Sequence, residues 1–347
     1  GHFLYNPEYA YFTGIRYLPR LTATVGMTRN RTLDVEGSAN IHANARWQSN
    51  ADLQAEGRIK PYRFWVRYAN ARTELRIGLQ KINFGSALML RPLMWFDQVD
   101  PRDPLQLTDG VWAALARHYF PNNSNIWLWA LYGNKDQKTW EIGATQKGTP
   151  EFGGRLQTPL AGGETAFAFH HRMASLPAAN ALSTNHEQVY VPENRFGLEG
   201  RWDFFLGMWF EAAWIKKSGS AGLLTNQHIF CLGADYTIPA GNGLLITAEH
   251  LLLHWGEDAF RISNPYGITG LSVAYPIGLK DRISSIIYRD WNNSQQYHFV
   301  SWQHQLNSWT FYVMGFANPE IMQLPQQNID NKLFAGKGLQ FMLVFNH

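Results

Sequence analysis

The amino-acid sequence predicts an all-β protein that forms a single transmembrane antiparallel β-barrel over residues 1–347, with about 18 strands or alternatively about 16. Three observations support this prediction. Apolar and polar residues alternate with a period of two along most of the chain. Trp and Tyr gather near the ends of the alternating runs. Finally, the sequence contains no run of about 20 apolar residues that could form a membrane-spanning helix.

Residues 33–48 are the clearest alternating run. The odd positions, from Leu33 to Trp47, are mainly apolar or small, and the even positions are polar. Successive side chains of a strand point to opposite faces of a sheet, whereas a helix would scatter both sets around its axis. The phase slips at Lys60–Pro61, which predicts a β-bulge. Ser49-Asn50 predicts a turn. Similar alternation occurs in residues 52–59, 62–68, 73–80, 195–202, 206–214, 271–277 and 339–346.

The composition excludes several classes of function. Charged residues make up 16% of the chain and the net charge is +3, which is too even a balance to indicate a nucleic-acid partner. The single Cys231 excludes an intrachain disulfide and any CxxC motif. No P-loop or Gly-x-Ser-x-Gly elbow occurs, and His250 and His254 would lie about 13 Å apart on a strand, too far to share a zinc ion. We therefore expect no enzyme activity, no cofactor and no metal.

One long segment, residues 84–110, interrupts the alternation. Pro92, Pro101 and Pro104 are incompatible with a central strand, yet the segment is too apolar for an exposed loop. We interpret it as a loop that folds into the lumen and narrows it. The other interpretation is a loop packed on the rim of the barrel. The expected apolar anchors are Leu90, Leu93, Met94, Trp95 and Phe96.

Charged side chains occupy the strand face that would line the lumen. An Arg or Lys that faced lipid at the membrane centre would cost about 2–4 kcal/mol, so these residues are expected to face inward. They either form a selectivity wall that attracts anions, or pair with one another and only fill and stiffen the barrel. The candidate pore-lining and constriction residues are Arg63, Arg67, Arg72, Glu74, Arg76, Arg91, Asp97, Asp100, Arg102, Asp103, Asp109, Arg155, Arg172, Arg195 and Arg201.

The region from Arg76 to Gly85 resembles a motif of a known group. The run Arg76-Ile-Gly-Leu-Gln80, then Phe84-Gly85 and a long Pro/Asp-rich insertion, is similar to the outer-membrane barrels of the alginate-export-like group. In that group an Arg-x-Gly-x-Gln strand precedes a Gly and a long inserted loop. The resemblance implies a channel of about 18 strands with a charged lumen. The chain differs from the group in lacking a dense Lys/Arg cluster.

The sequence thus predicts a channel in the outer membrane of a Gram-negative bacterium, through which polar solutes diffuse passively or are exported. Outer-membrane lipids and lipopolysaccharide would surround it, a polar or anionic solute would pass through it, and it could bind a partner protein or form a homo-oligomer. Two alternatives stay open. One is an outer-membrane scaffold with a plugged lumen that binds a partner protein. The other is a soluble all-β carbohydrate-active enzyme, in which Leu75, Ile77, Phe341 and Leu343 would pack in a dry interior between two sheets.

Overall fold

The structure, a computed structural model, describes residues 2–6, 9–28, 30–48, 53–176, 189–218, 221–320 and 331–346. The turn predicted at Ser49-Asn50 lies outside the described residues. Strands dominate, and the helical segments in the described part are two short 3-10 turns, Gly222–Leu224 and Asn331–Phe334. No helix among these residues has the length and apolar character needed to cross a membrane.

All strands belong to one sheet of 19 segments, and every strand pairing is antiparallel. From β4 to β19 each strand pairs with the next one in the chain, so that part of the sheet is a continuous meander. The strands are β1 (His2–Tyr5), β2 (Tyr9–Tyr17), β3 (Arg20–Thr28), β4 (Arg31–Gln48), β5 (Gln54–Asn70), β6 (Thr73–Gln80), β7 (Val111–Tyr119), β8 (Asn125–Leu131), β9 (Glu151–Leu160), β10 (Gly163–Ser175), β11 (Tyr190–Asp203), β12 (Gly207–Lys217), β13 (Asn226–Ile238), β14 (Leu244–Gly256), β15 (Tyr266–Ile277), β16 (Asp281–Asp290), β17 (Gln295–Leu306), β18 (Trp309–Ala317) and β19 (Lys337–Phe345).

The sheet returns on itself as a barrel. β2 and β3 share one position because both pair with the long β4, on either side of a break at Pro19. The short β1 pairs with β19 on one side and with β2 on the other, which joins the last strand to the first over part of the barrel height. The 19 segments therefore fill 18 strand positions, and the predicted strand number is confirmed.

The apolar face of the sheet points outward. Leu75, Ile77, Phe341 and Leu343 are 42%, 56%, 66% and 53% exposed, so they do not pack in a dry interior between two sheets. An apolar surface of this extent around a closed sheet is typical of a membrane barrel, because closure leaves few unpaired backbone groups in hydrocarbon. Exposed aromatic residues near strand ends form the expected belts; they include Trp112, Tyr119, Trp255, Trp291, Trp302 and Trp309.

The two ends of the barrel differ in the length of their connections. At one end the strands are joined by tight turns, at residues 71–72, 161–162, 204–206, 278–280 and 307–308. At the other end several connections are long, among them residues 81–110, 132–150 and 257–265, although residues 291–294 join β16 to β17 by a tight turn. We call these the short-turn end and the long-loop end.

The bulge predicted at Lys60–Pro61 is confirmed. Ser38 lies opposite Arg63 while the next residue of β4 lies opposite Pro61, so Tyr62 is the extra residue of β5. A bulge tolerates proline because its backbone nitrogen needs no partner there. On a regular strand, residues three apart point to opposite faces. The bulge shifts this pattern by one residue, so Lys60 and Arg63 both point to the inner face.

Candidate functional site

Residues 81–110 join β6 to β7 and lie inside the barrel. Near the start of this segment, the ring of Phe84 stacks on Trp129 of β8 at 5.7 Å between centroids. Further along, the guanidinium of Arg102 lies 4.9 Å from the ring centre of Phe299 on β17. β8 and β17 lie far apart around the barrel, so a segment that contacts the inner faces of both strands must lie in the lumen. We call this segment the first lumen loop. Its buried apolar side chains are Ile82, Phe84, Ala87, Met89, Leu90, Leu93, Met94, Trp95 and Phe96.

A carboxylate on the barrel wall holds the backbone of the first lumen loop. Glu249 of β14 accepts hydrogen bonds from the N–H groups of Leu88 at 2.6 Å, Met89 at 2.9 Å and Leu90 at 2.6 Å. The indole N–H of Trp209 donates to it at 3.1 Å. Hydrogen bonds to a charged acceptor contribute about 1.5–3 kcal/mol each, so this side chain fixes the position of the loop.

A second wall carboxylate, Glu211 of β12, holds the same loop. It accepts the N–H groups of Ala87 at 2.7 Å and Leu93 at 3.0 Å. Gly85 has a φ of +105°, and a Cβ there would collide with the Glu211 carboxylate. The glycine of the Phe84-Gly85 motif therefore has a physical reason: it lets the loop backbone approach the wall.

The motif in β6 also has a structural explanation. Gly78 has a φ of +125°, and a Cβ at this position would collide with the backbone of Phe64 on β5. Gln80 is fully buried, and its side-chain nitrogen donates to the carbonyls of Arg76 at 3.1 Å and Ala113 at 2.9 Å. These contacts fix the point at which the chain leaves the wall and enters the lumen.

Residues 132–150 form a second lumen loop that the sequence analysis missed. The indole N–H of Trp140, which is 4% exposed, donates to the Arg91 carbonyl of the first lumen loop at 2.7 Å. The Gln98 side chain donates to the carbonyl of Gln137 at 2.8 Å. The signal that could have indicated this loop is the loss of alternation between β8 and β9. The two loops support each other inside the barrel.

Five charged side chains form a buried cluster where the second lumen loop meets the wall. The guanidinium of Arg172 lies 2.6 Å from Glu193, and Arg195 lies 2.7 Å from Glu141 and 2.8 Å from Glu193. Lys217 lies 3.2 Å from Glu193. None of these side chains is more than 5% exposed. The prediction that Arg172 and Arg195 line the pore is therefore corrected: they pair with acids and fill the barrel.

Four candidates in the first lumen loop also form internal pairs. Arg91 lies 3.4 Å from Asp97 and donates to Asn83 at 2.7 Å. Arg102 lies 2.6 Å from Asp100. All four charged side chains are at most 8% exposed, so they stabilise the fold of the loop and do not face a passage. For these residues the prediction of a free charge at the constriction is corrected.

Two further arginine candidates are paired along the wall. Arg155 donates to Glu199 at 2.8 Å, and both side chains are nearly buried. Arg201 lies 3.1 Å from Asp203 near the short-turn end, and its side chain is 33% exposed. Arg155 therefore belongs to the filled part of the barrel, whereas Arg201 remains accessible to water.

The wall formed by β2–β7 is different, because its inward charges are partly exposed. Arg67 lies 2.6 Å from Asp34 and is 32% exposed. Glu74 lies 2.9 Å from Arg76 and 3.6 Å from Arg117, whose side chains are 17% and 16% exposed. Because these side chains face inward and are partly exposed, solvent reaches this wall from the lumen. We call it the basic wall.

Further toward the long-loop end, the basic wall meets the first lumen loop. Arg16 of β2, His42 of β4 and Arg58 of β5 are cross-strand neighbours in one row. In the next row Lys60 lies 2.6 Å from Asp109 of the loop, with side chains 34% and 45% exposed. At this level an acidic residue of the loop faces basic residues of the wall.

Three other candidates lie near this level or at the end of the wall. Arg63 donates to the carbonyl of Thr108 at 2.9 Å and is buried, so it attaches the end of the loop to β5. Burial raises the pKa of Asp103, although it accepts backbone hydrogen bonds. Arg72 is exposed in the turn between β5 and β6, so its predicted place along the wall is corrected.

The site predicted from the sequence omitted several inward basic residues. The same alternation that identified the strands gives their direction, because they share the parity of known inward neighbours. The residues concerned are Arg16, Arg20, Arg46, Arg58, Lys60 and Arg117. Among the described residues, no group of three or more His, Cys, Asp or Glu side chains is placed to hold a metal ion.

Comparison with known proteins supports the fold. No protein-family model matches the chain, and no curated protein matches it. Among solved structures, the chain is similar to the outer-membrane porin OccK7 (OpdD) of Pseudomonas aeruginosa, with a TM-score of 0.52 and 8% identity over 98% of this chain and 93% of that one. OccAB1 of Acinetobacter baumannii has a TM-score of 0.49 and 9% identity, over 96% and 94% of the two chains. The fold is that of a porin barrel.

Proposed function

We propose that the protein is an outer-membrane channel through which small polar solutes diffuse, with anions favoured over cations. The porin-barrel fold and the apolar outer surface support a place in the outer membrane. In barrels of this kind the tight turns face the periplasm and the long loops face the exterior. We therefore place the short-turn end in the periplasm and both lumen loops within the path of an entering solute.

The observation that carries the proposal is the uneven filling of the lumen. Buried pairs and two loops occupy the side of β8–β17, while the basic wall keeps partly exposed charges. Basic residues outnumber acidic ones on the inner face of β2–β7. The basic residues are Arg16, Arg20, Arg46, Arg58, Lys60, Arg63, Arg67, Arg76 and Arg117. The acidic residues are Asp34, Glu36, Glu56 and Glu74.

A charged wall in a confined space raises the local concentration of counter-ions. At 0.1 M salt, interactions between charges more than about 10 Å apart are screened. The basic wall lies along the passage, so an ion that passes close to it lies within this distance and is affected by its charges. A net positive wall should therefore favour chloride over potassium and small carboxylates over amines of the same size. The buried pairs on the opposite side are neutralised and should contribute little to this preference.

The test measures ion selectivity in planar bilayers. A triple variant, Arg16→Gln, Arg58→Gln and Lys60→Gln, removes three charges from the basic wall. The matched control removes three exposed charges from turns and loops other than the lumen loops, with Arg72→Gln, Arg261→Gln and Lys280→Gln. In a potassium chloride gradient we expect the reversal potential of the unmodified protein to indicate anion preference, the wall variant to lose most of it, and the control to keep it.

Two results would contradict the proposal. An equal shift in both variants would mean that overall charge, and not the wall, sets the selectivity. Absence of single-channel currents from well-inserted protein would favour the scaffold with a plugged lumen, since the two lumen loops already fill one side of the barrel.

A further inference from the structure

A row of aromatic rings crosses the outward face of five neighbouring strands near the long-loop end. Its members are cross-strand neighbours from β10 to β14, and each ring contacts the next; they are Phe169, Phe196, Trp214, His228 and His254. Aromatic side chains at this level are typical of the belt at a membrane–water interface, which is rich in Trp and Tyr. On β13 and β14, two histidines take these positions.

The outward direction of both histidines follows from the alternation. Gln227 and Ile229, which flank His228 on β13, are buried on the lumen side. On β14, Leu253 is likewise buried beside His254. Successive side chains of a strand point to opposite faces, so both imidazoles lie on the outer surface of the barrel.

The loop of residues 257–265 folds back over the end of this row. The ring centre of Phe260 lies 6.3 Å from that of Trp214. A Cβ at Gly256 would come within 2.9 Å of the His254 ring, so the glycine lets the backbone pass close to the imidazole. His254 is consequently only 8% exposed, although it lies on the outer face.

The two imidazoles lie side by side with nitrogen atoms that lack partners. His228 is directly opposite His254 in the register of β13 and β14, and their ring centres are 5.9 Å apart. Within the part of the chain that the structure describes, the Nδ1 atoms of both rings are buried and have no hydrogen-bond partner. A buried polar atom without a partner is unfavourable. A neutral imidazole offers the lone pair of one ring nitrogen to a proton donor or to a metal ion.

We propose that His228 and His254 form a binding site for one divalent transition-metal ion on the outer surface of the barrel. Imidazole is a preferred ligand of Zn²⁺ and Cu²⁺, and Cu²⁺ binds most tightly among the first-row divalent ions. Two imidazoles that hold one metal at about 2.0–2.1 Å have ring centres about 5–6 Å apart. The separation of these two rings fits that arrangement.

This pair is not revealed by spacing along one strand. His250 and His254 lie too far apart on β14 to share a metal, whereas His228 reaches His254 because β13 and β14 form a hairpin. Among the described residues, no acid or further imidazole completes a group of three. The site therefore keeps coordination positions open to water, and we expect a metal that exchanges and that chelators remove. When bound, the metal links β13 to β14 beneath the loop of residues 257–265.

Copper titration tests the site. Tag-free protein is folded in lipid and treated with a chelator, because a histidine tag would bind the same metals. Cu²⁺ quenches nearby indole fluorescence, and the ring centre of Trp214 lies 6.2 Å from that of His228. His228→Gln and His254→Gln each remove one ligand. The matched control, His250→Gln, removes an exposed imidazole from the same face of β14, where it contacts Thr269 at 2.8 Å.

We expect saturable quenching by one equivalent of Cu²⁺, an affinity at least tenfold weaker in each ligand variant, and an unchanged affinity in the control. The heat-modifiable gel shift of each variant shows that its barrel has folded. Unchanged affinity in both ligand variants would overturn the proposal, and so would an equal loss of affinity in all three variants.

Electron paramagnetic resonance identifies the ligands without any substitution. At one equivalent of Cu²⁺, the spectrum of the unmodified protein should show hyperfine coupling to two imidazole nitrogens. Coupling to fewer than two nitrogens would overturn the proposal.

Zinc gives a readout in stability. A ligand that binds only the folded state stabilises it, so Zn²⁺ should raise the temperature of the heat-modifiable gel shift in the unmodified protein and in His250→Gln. The shift should stay unchanged in His228→Gln and His254→Gln. Equal effects of Zn²⁺ on all four proteins would contradict the assignment of these two histidines.

Discussion

At the scale of single residues, the position of the first lumen loop is set by two glutamates that accept hydrogen bonds from its backbone, and not by the arginines of the wall. Glu249 accepts three consecutive N–H groups, and Glu211 accepts two more. A loop rich in apolar side chains leaves its own backbone donors without partners in a dry interior, and such donors need an acceptor. The carboxylates of Glu211 and Glu249 on the barrel wall are these acceptors.

Replacement of Glu249 by Ala should loosen the first lumen loop. The N–H groups of Leu88, Met89 and Leu90 lose their acceptor, at a cost of about 1–3 kcal/mol for each buried donor left unsatisfied. We expect noisier open-channel current and a higher mean conductance in bilayers. Formate, a small carboxylate, should partly restore the quiet current when added at high concentration.

The matched control for this variant is Glu257→Ala, which removes an exposed carboxylate at the long-loop end. The control should leave the current unchanged. Identical noise in the Glu249 variant and the unmodified protein would show that the hydrogen bonds do not hold the loop.

Glu141 makes the attachment of the second lumen loop resistant to acid. Burial alone would raise its pKa, but Arg172 and Arg195 hold the pKa below the usual value. A depressed carboxyl pKa contributes stability at every pH above the unfolded-state value of about 4.3, and this contribution is lost as the pH falls through the folded-state pKa. The stabilising effect should therefore be constant at neutral pH and disappear only in strong acid.

The variant Glu141→Gln tests this linkage. Breaking a buried ion pair costs about 3–5 kcal/mol, so the variant should unfold at a lower temperature than the unmodified protein at pH 7. The temperature of the heat-modifiable gel shift, measured from pH 7 to pH 3, should show a constant difference above about pH 5 that shrinks below about pH 4. A difference that shrinks between pH 7 and pH 5 would contradict the depressed pKa.

At the scale of elements, the two lumen loops decide how much of the barrel stays open. The first loop packs its apolar side chains against one side of the ring, and the second loop packs against the first. Both are attached by buried polar contacts that only the assembled barrel provides. We therefore expect the loops to take these positions after the strands have paired.

Deletion of residues 88–107 should widen the passage. The deleted part includes Leu90, Leu93 and Trp95, which lie in the lumen. We expect a severalfold increase in single-channel conductance, because conductance rises with the free cross-section. Deletion of residues 258–264, an exposed part of another long loop, is the control and should leave the conductance unchanged. An unchanged conductance in both deletions would remove the first lumen loop from the constriction.

At the scale of the whole molecule, the sequence was sufficient to predict the architecture but not the partners of the charges. Alternation depends on the local fact that neighbouring side chains point to opposite faces, so it predicted the sheet, its outward apolar face and the bulge beside Lys60–Pro61. Whether an inward arginine is free or paired depends on residues that are distant in the chain. Arg172 and Arg195 are paired through Glu141, which belongs to a loop with no pattern of its own.

The position of the two lumen loops has a consequence for the shape of a permeating molecule. Since the loops lie mainly against β8–β17 and contact the basic wall only at β5, we expect the free area to be a crescent along the basic wall and not a central round hole. A crescent admits planar or threadlike molecules more readily than spherical ones of equal mass. Among anions of similar size, aromatic carboxylates should therefore cross faster than compact, branched ones.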